Sequence, residues 1–337
     1  MSSTETARMS ASAPQPGLGR KLVDIAIEYN FVLIFLVVVA IAASLSDSFL
    51  TFGNVANLFQ QAAVVGVVAV GMTFVILTGN IDLSVGSVVA LCGMLVAVLL
   101  SAGYPPFVAV ALTALVGLSC GAAMGAISAL AQVPSFIVTL AGLVSFRGIT
   151  YLLTDGVPVS GLPQGFAAIS STMVPILPGF ALTSMALIFI VLCIVAGIVL
   201  RFTVFGEYVY ATGGNPEAAR LSGLPTRLIV TSVFAISGLM AALGGILLTS
   251  RLRIGQPTAA QGLELDAIAA VVLGGTSLFG GRGSVLGTFF AVMLLQVLRN
   301  IFNLLGLGSF YQMTITGLII IAAILLNRFI DHRKGRG

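Results

Sequence analysis

Charge is the scarcest property of this sequence: Asp, Glu, Lys and Arg make up 8% of its 337 residues. Soluble domains carry about 25%, so a water-soluble globular fold is excluded. There is no tryptophan, one histidine (His332) and two lysines, Lys21 and Lys334, all three toward the ends of the chain. That distribution excludes histidine-based catalysis, a histidine metal site and a phosphate-cradling GxxxxGK[ST] loop. No Gly-x-Ser-x-Gly follows a strand, and no series of intramembrane Asp, Glu and His is present to relay protons. The chain is therefore expected to catalyse nothing itself and to need no cofactor. Cys92, Cys120 and Cys193 each lie inside an apolar run without metal-ligand spacing, and read as small buried hydrophobes. The net charge of +4 sits at run ends and in short loops, an orientation signal and not a nucleic-acid footprint.

What the sequence has is apolar length. Hydrophobic residues reach 58%, in runs approaching the roughly 20 residues that cross a bilayer as helix; the alternating segments of a membrane barrel are absent. The fold class expected is an all-α polytopic membrane protein of about ten transmembrane helices, at 31–47, 58–78, 84–101, 106–131, 135–153, 181–201, 228–250, 265–279, 284–304 and 311–328. Residues 1–30, polar and rich in Ser, Thr and Ala, read as a retained cytoplasmic tail, 31–329 as the transmembrane domain, and 330–337 as a basic cytoplasmic tail. Orientation follows from Lys and Arg in short loops. With both termini inside, eleven basic residues lie on the inner side, against Arg251 and Arg253 outside and Arg147 and Arg299 in outer helix parts. Arg299 and Asn300 read as interfacial anchors.

Two stretches interrupt the helical pattern at or near membrane depth: "LTGNIDLSVGS" (77–87) and "LGGTSLFGGRGS" (273–284). Each follows an apolar run and resumes with Gly-Ser-Val, at Gly86-Ser87-Val88 and Gly283-Ser284-Val285. That is a weak internal repeat of the kind transporters carry, or else two ordinary glycine-rich turns. Irregular backbone in a membrane is tolerated where protein or a water-filled cavity covers it, so a true repeat puts both breaks near a solute path. Asp82 suits a cap on the next helix or a solute contact. Arg147 can snorkel outward along its neighbours or pair inside the bundle.

The polar loop "GGNPEAARLSGLP" (213–225) carries unusual punctuation. Asn215 is a favoured N-cap, and Pro216 at the first helical position forfeits no needed N–H. Glu217 suits the positive end of the helix dipole, and Ala218, Ala219, Arg220 and Leu221 propagate the helix. Gly223 offers a left-handed stop and Pro225 prevents continuation. So short a helix is well below the length stable alone in water, so another body must hold it. A helix lying on the membrane instead would need an apolar face flanked by Lys or Trp, which this loop lacks.

This loop resembles the cytoplasmic coupling loop (202–227) of ABC importer permeases, whose Glu-Ala-Ala core inserts into a cleft on the ATPase subunit. "GNIDLSVGS", "VPSFIVTLAGLVSFRGITYLLTDG", "AAVVLGGTSLFGGRGSVLGT" and "FYQMTITGLIIIAAIL" resemble four further blocks of the ribose/xylose/galactose-type permeases, in the same order, over about residues 30 to 329. The resemblance implies a bacterial inner-membrane permease working as a dimer with a second copy or paralogue. Its partners would be a cytosolic ABC ATPase and a periplasmic binding protein that delivers a monosaccharide. Asn215, Pro216, Glu217, Ala218, Ala219, Arg220 and Gly223 fall on the coupling helix. Asn80, Asp82 and Ser84, with Pro134, Ser135, Phe136 and Thr139 at the start of the fifth crossing, fall on blocks near the solute path, to which the second break adds Gly283 and Ser284. Asn80 departs from the family pattern, where glycine is more usual. The rivals are a same-superfamily importer of autoinducer-2, a nucleoside or a branched-chain amino acid, an ion-coupled secondary transporter, and a membrane scaffold. The shortage of fixed charge favours a neutral solute.

Overall fold

The structure, a computed structural model, describes residues 30–308, 310–312, 314–315, 317–318 and 321. The two expected tails and most of the expected tenth crossing lie outside the described residues. Twelve helices are described in full: α1 (Asn30–Leu45), α2 (Phe52–Leu77), α3 (Val85–Ser101), α4 (Pro106–Ala131), α5 (Ser135–Leu152), α6 (Gln164–Ser171), α7 (Ser184–Phe202), α8 (Val204–Gly214), α9 (Pro216–Leu221), α10 (Thr226–Leu252), α11 (Leu263–Leu273) and α12 (Val285–Leu304). Six of them, α2, α4, α5, α7, α10 and α12, are long and apolar enough to cross a membrane.

Packing, not composition, decides which helices are central, since α2 and α4 have nearly equal mean hydropathy, 2.0 and 2.1. The most apolar window of α2 is 83% buried, against 22% in α4 and α5; α2 is therefore core and the other two are peripheral. The largest helix–helix interface joins α4 to α10. Gly117, Gly121 and Gly125, one turn apart on α4, face Phe234, Gly238 and Ala242 of α10. A Cβ on Gly121 would sit 2.9 Å from the Cα of Gly238, so glycine is what lets these two backbones touch. Polar pairs fasten α2 to α12: Asn54 and Asn300 exchange amide hydrogen bonds of 3.0 and 2.8 Å, Gln296 donates to Gln61 at 2.8 Å, and the hydroxyls of Thr73 and Thr288 lie 2.8 Å apart. Thus Asn300, expected at the interface, is 4% exposed inside the bundle, and Arg299 pairs with Asp266 at 2.7 Å. Periodicity alone does not show which face of α12 carries these groups inward.

Three further expectations need correction. The chain is not purely helical: β1 (Met173–Leu177) and β2 (Phe180–Thr183) form an antiparallel hairpin between α6 and α7. The second crossing begins at Phe52 instead of residue 58, because Thr51 caps it by accepting from the Asn54 amide. At the expected crossing 265–279 the helix is α11 alone, 11 residues that begin at Leu263 and stop at Leu273, about 16 Å of helix at 1.5 Å per residue, half of a roughly 30 Å hydrocarbon core. The segment before it turns back along α3. Gly255 lies against Met94 and Gly93, whereas Ala260 lies against Gly86, so the chain descends α3 by about two turns before α11 begins.

Candidate functional site

The two breaks, almost 200 residues apart in sequence, meet. Gly281 N–H donates to the Leu77 carbonyl at 2.9 Å, and Gly79 and Gly280 come within contact of each other's backbone. The end of α8 closes the cluster. At Gly213 a Cβ would lie 2.7 Å from Gly281 N and 2.9 Å from the Leu77 carbonyl carbon. Gly79, Gly280 and Gly281 have φ of +74°, +82° and +71°, which glycine adopts without steric cost. Tyr210 of α8 donates its hydroxyl to the Gly283 carbonyl at 2.9 Å, and burial raises this phenol above the ordinary tyrosine range.

The Gly-Ser-Val match does not superpose. Gly86-Ser87-Val88 lies inside α3, whereas Gly283-Ser284-Val285 straddles the start of α12. The equivalent positions are Ser84 and Ser284, each immediately before its helix, and they act differently. Ser284 Oγ accepts from Gly287 N at 3.1 Å as an N-cap. Ser84 makes no cap bond to α3 and gives its own N–H and hydroxyl to Asp82 Oδ1, at 3.0 and 2.6 Å. Asp82 Oδ2 accepts from Ser237 of α10 at 2.9 Å. Asp82 and Ser84 are each 1% exposed. On α5, Ser135 Oγ accepts from Ile81 N at 3.1 Å, and the Thr139 hydroxyl lies 2.8 Å from the Ser135 carbonyl and 3.3 Å from that of Ile81. Phe136 is exposed on the outer face of α5. Arg147 turns inward: its guanidinium donates to the carbonyls of Pro257 at 2.9 Å and Ala259 at 2.8 Å, pinning the returning segment before α11.

The capped helix forms as its residues require. Asn215 Oδ1 accepts from Ala218 N at 2.9 Å, and Pro216 opens α9. Gly223 closes it at φ +84°, with Gly223 N donating to Arg220 O and Leu224 N to Ala219 O, the paired bonds of a left-handed stop. Only Ala219 of α9 is buried; Glu217, Ala218 and Arg220 are exposed, and Leu221 is 78% exposed. Behind α9 opens a crevice of about 480 Å³ lined by Thr78, Gly79, Asn80, Gln132, Glu217, Arg220 and Arg227, among others. Asn80 holds its amide on Thr78 at this wall. So the crevice brings Asn80, Pro216, Glu217 and Arg220 together, while Asp82, Ser84, Ser135, Thr139, Gly283 and Ser284 lie in the packing around the breaks. Sequence reasoning missed Gly213, Tyr210 and Ser237; the first sits in the quoted loop, but nothing local marks its partners.

Residues 54–324 match the family described as "branched-chain amino acid transport system / permease component". The chain belongs to this family. It is a multi-pass permease component of the inner membrane, consistent with its six long apolar helices. It is 40% identical over 310 residues to the ribose import permease protein of Haemophilus influenzae, covering 91% of this chain and 95% of that one. With the ribose import permease protein of Bacillus subtilis it shares 44% identity over 294 residues, 87% and 90% of the two chains. The xylose transport system permease protein of Escherichia coli is 32% identical over 393 aligned residues, covering 99% of this chain and all of that one. No solved structure matches the chain.

Proposed function

We propose that this permease is the membrane subunit of an ATP-binding-cassette importer for a monosaccharide, a ribose-like pentose or a hexose handed over by a periplasmic binding protein. ATP hydrolysis belongs to a separate cytosolic subunit, and α9 is the element seated in that subunit's groove. One observation carries the coupling assignment: a six-residue helix with both ends capped, buried at Ala219 alone and presenting Glu217, Arg220 and Leu221 outward. Within the chain too little holds so short a helix. The relatives named for ribose and xylose import support the sugar. A zwitterionic amino acid, which the family description suggests, would want a fixed charge or half-helix end at its site, and Arg147 points at the carbonyls of Pro257 and Ala259 and does not line the crevice.

The protein works as a dimer with both termini cytoplasmic; the chain passes the membrane ten times, the eighth pass made by the returning segment together with the short α11. Asn80, Phe136, Gly283 and Ser284 are the path candidates with accessible surface; the buried four, Asp82, Ser84, Ser135 and Thr139, hold the first break in place. The test is reconstitution with an ABC ATPase and a periplasmic binding protein from the same organism. Ribose or xylose uptake that requires ATP is expected, and Gly223→Val, which strains a left-handed cap by about 1–2 kcal/mol, should insert normally yet lose uptake. Wild-type uptake by Gly223→Val would remove α9 from the coupling role. In a Cys-free background, external thiol reagent should label Gly161→Cys and Gln256→Cys and spare Asn215→Cys; labelling at 215 would reverse the orientation.

A further inference from the structure

The coupling loop runs without interruption into α10: Ser222, Gly223, Leu224 and Pro225 separate α9 from Thr226. Ser237 lies eleven residues further along, about three turns or 16 Å up the helix, and is fully buried. There it donates to Asp82 of the first break. A carboxylate is more than the local turn requires, since one side-chain oxygen suffices to accept from Ser84. A buried charge without a cation is expensive, and the one ion pair among the described residues is Arg299–Asp266, elsewhere. What the second oxygen adds is the bond across to α10.

We propose that Asp82 is a positioning residue which, through Ser237, ties the first break to the helix that continues the coupling loop, so that movement of α9 repositions residues 79–84. The other anchors of this break lead to the second break, at Leu77, and to α5, at Ile81. Asp82 is thus its direct side-chain link to α10. With 1% exposure it touches no solute in this arrangement; its effect on transport is carried by the break it holds. This rests on the importer reading above and adds the route by which coupling reaches the membrane.

The test uses the full complex in liposomes, comparing Ser237→Ala, Asp82→Ala, the double variant and Asp82→Asn. Ser237→Ala keeps the Asp82–Ser84 turn and removes only the bridge. Solute moved per ATP hydrolysed should fall about tenfold, within the range of coupling between linked sites, while hydrolysis stimulated by the loaded binding protein persists. Asp82→Ala should lose as much, the double variant no more than either single, and Asp82→Asn, which can donate to Ser237, should recover most of the ratio. Wild-type transport per ATP in Ser237→Ala, or additive losses in the double variant, would overturn the link. So would a proportional fall of uptake and hydrolysis among correctly folded molecules, sorted by size-exclusion profile and thermal midpoint. A second readout needs no solute: thiol labelling at Asn80→Cys should change when the ATPase binds nucleotide, and Ser237→Ala should abolish that change. Failure of wild-type sugar uptake with this labelling response intact would refute the sugar and leave the link standing.

Discussion

The two breaks perform the same local task, ending one helix and starting the next, by opposite means. The first is held by side chains: Asp82, Ser84, Ser135 and Ser237 donate to or accept from it at 2.6–3.1 Å. The second is held mainly by backbone: Gly280 and Gly281 adopt positive φ, Gly274 presses on Gly287, and Gly281 donates to Leu77. Side-chain bonds can be removed singly, each at modest cost, whereas a backbone contact leaves no room for the first added carbon. The first break should therefore degrade gradually under substitution and the second should fail abruptly.

The sharpest way to break this comparison is Gly213→Ala, which touches both breaks at once. Its methyl would press on the Leu77 carbonyl and the Gly281 amide, and backbone cannot swing aside as a flexible side chain can. We expect overpacking of about 1–3 kcal/mol or more, read as loss of monodisperse protein; a wild-type melting midpoint in detergent would show that the breaks can part without harm. Next comes Gly281→Ala, with φ of +71° and an added carbon 2.7 Å from Gly214 Cα. The left-handed conformation alone costs about 1–2 kcal/mol, so a clear fall in midpoint is expected. The smallest effect belongs to the first break: Ser135→Ala removes one acceptor from Ile81 N–H and should cost about 1 kcal/mol. If Ser135→Ala destabilises more than Gly281→Ala, the division between side-chain and backbone fastening is wrong.

Legibility followed the distance between cause and effect. The glycine clusters marked both breaks, and the Gly-Ser-Val match hinted at kinship, yet it misjudged register: the serines that correspond precede their helices, at 84 and 284. The expectation of a full eighth crossing failed for a related reason. The run from Ala267 to Leu273 is apolar and Leu278-Phe279 resume it, but Gly274 and Gly275 end the helix after 11 residues, and hydropathy does not register where hydrogen bonding stops. Arg147 was left open between two readings because its partners, the carbonyls of Pro257 and Ala259, lie 110 and 112 residues away.

The sequence by itself determined the membrane class, most of the long helices and the whole of α9, because low charge, apolar length and the caps at Asn215, Pro216 and Gly223 act within a few residues of where they are written. Only the tertiary structure decided that the two breaks touch, that Gly213 closes them, and that Asp82 reaches Ser237. The physical reason is that hydrogen bonds and glycine contacts between helices depend on how those helices cross. Their partners lie 155 residues apart in the case of Asp82 and Ser237, and no local pattern records which of many buried serines will arrive opposite a given carboxylate.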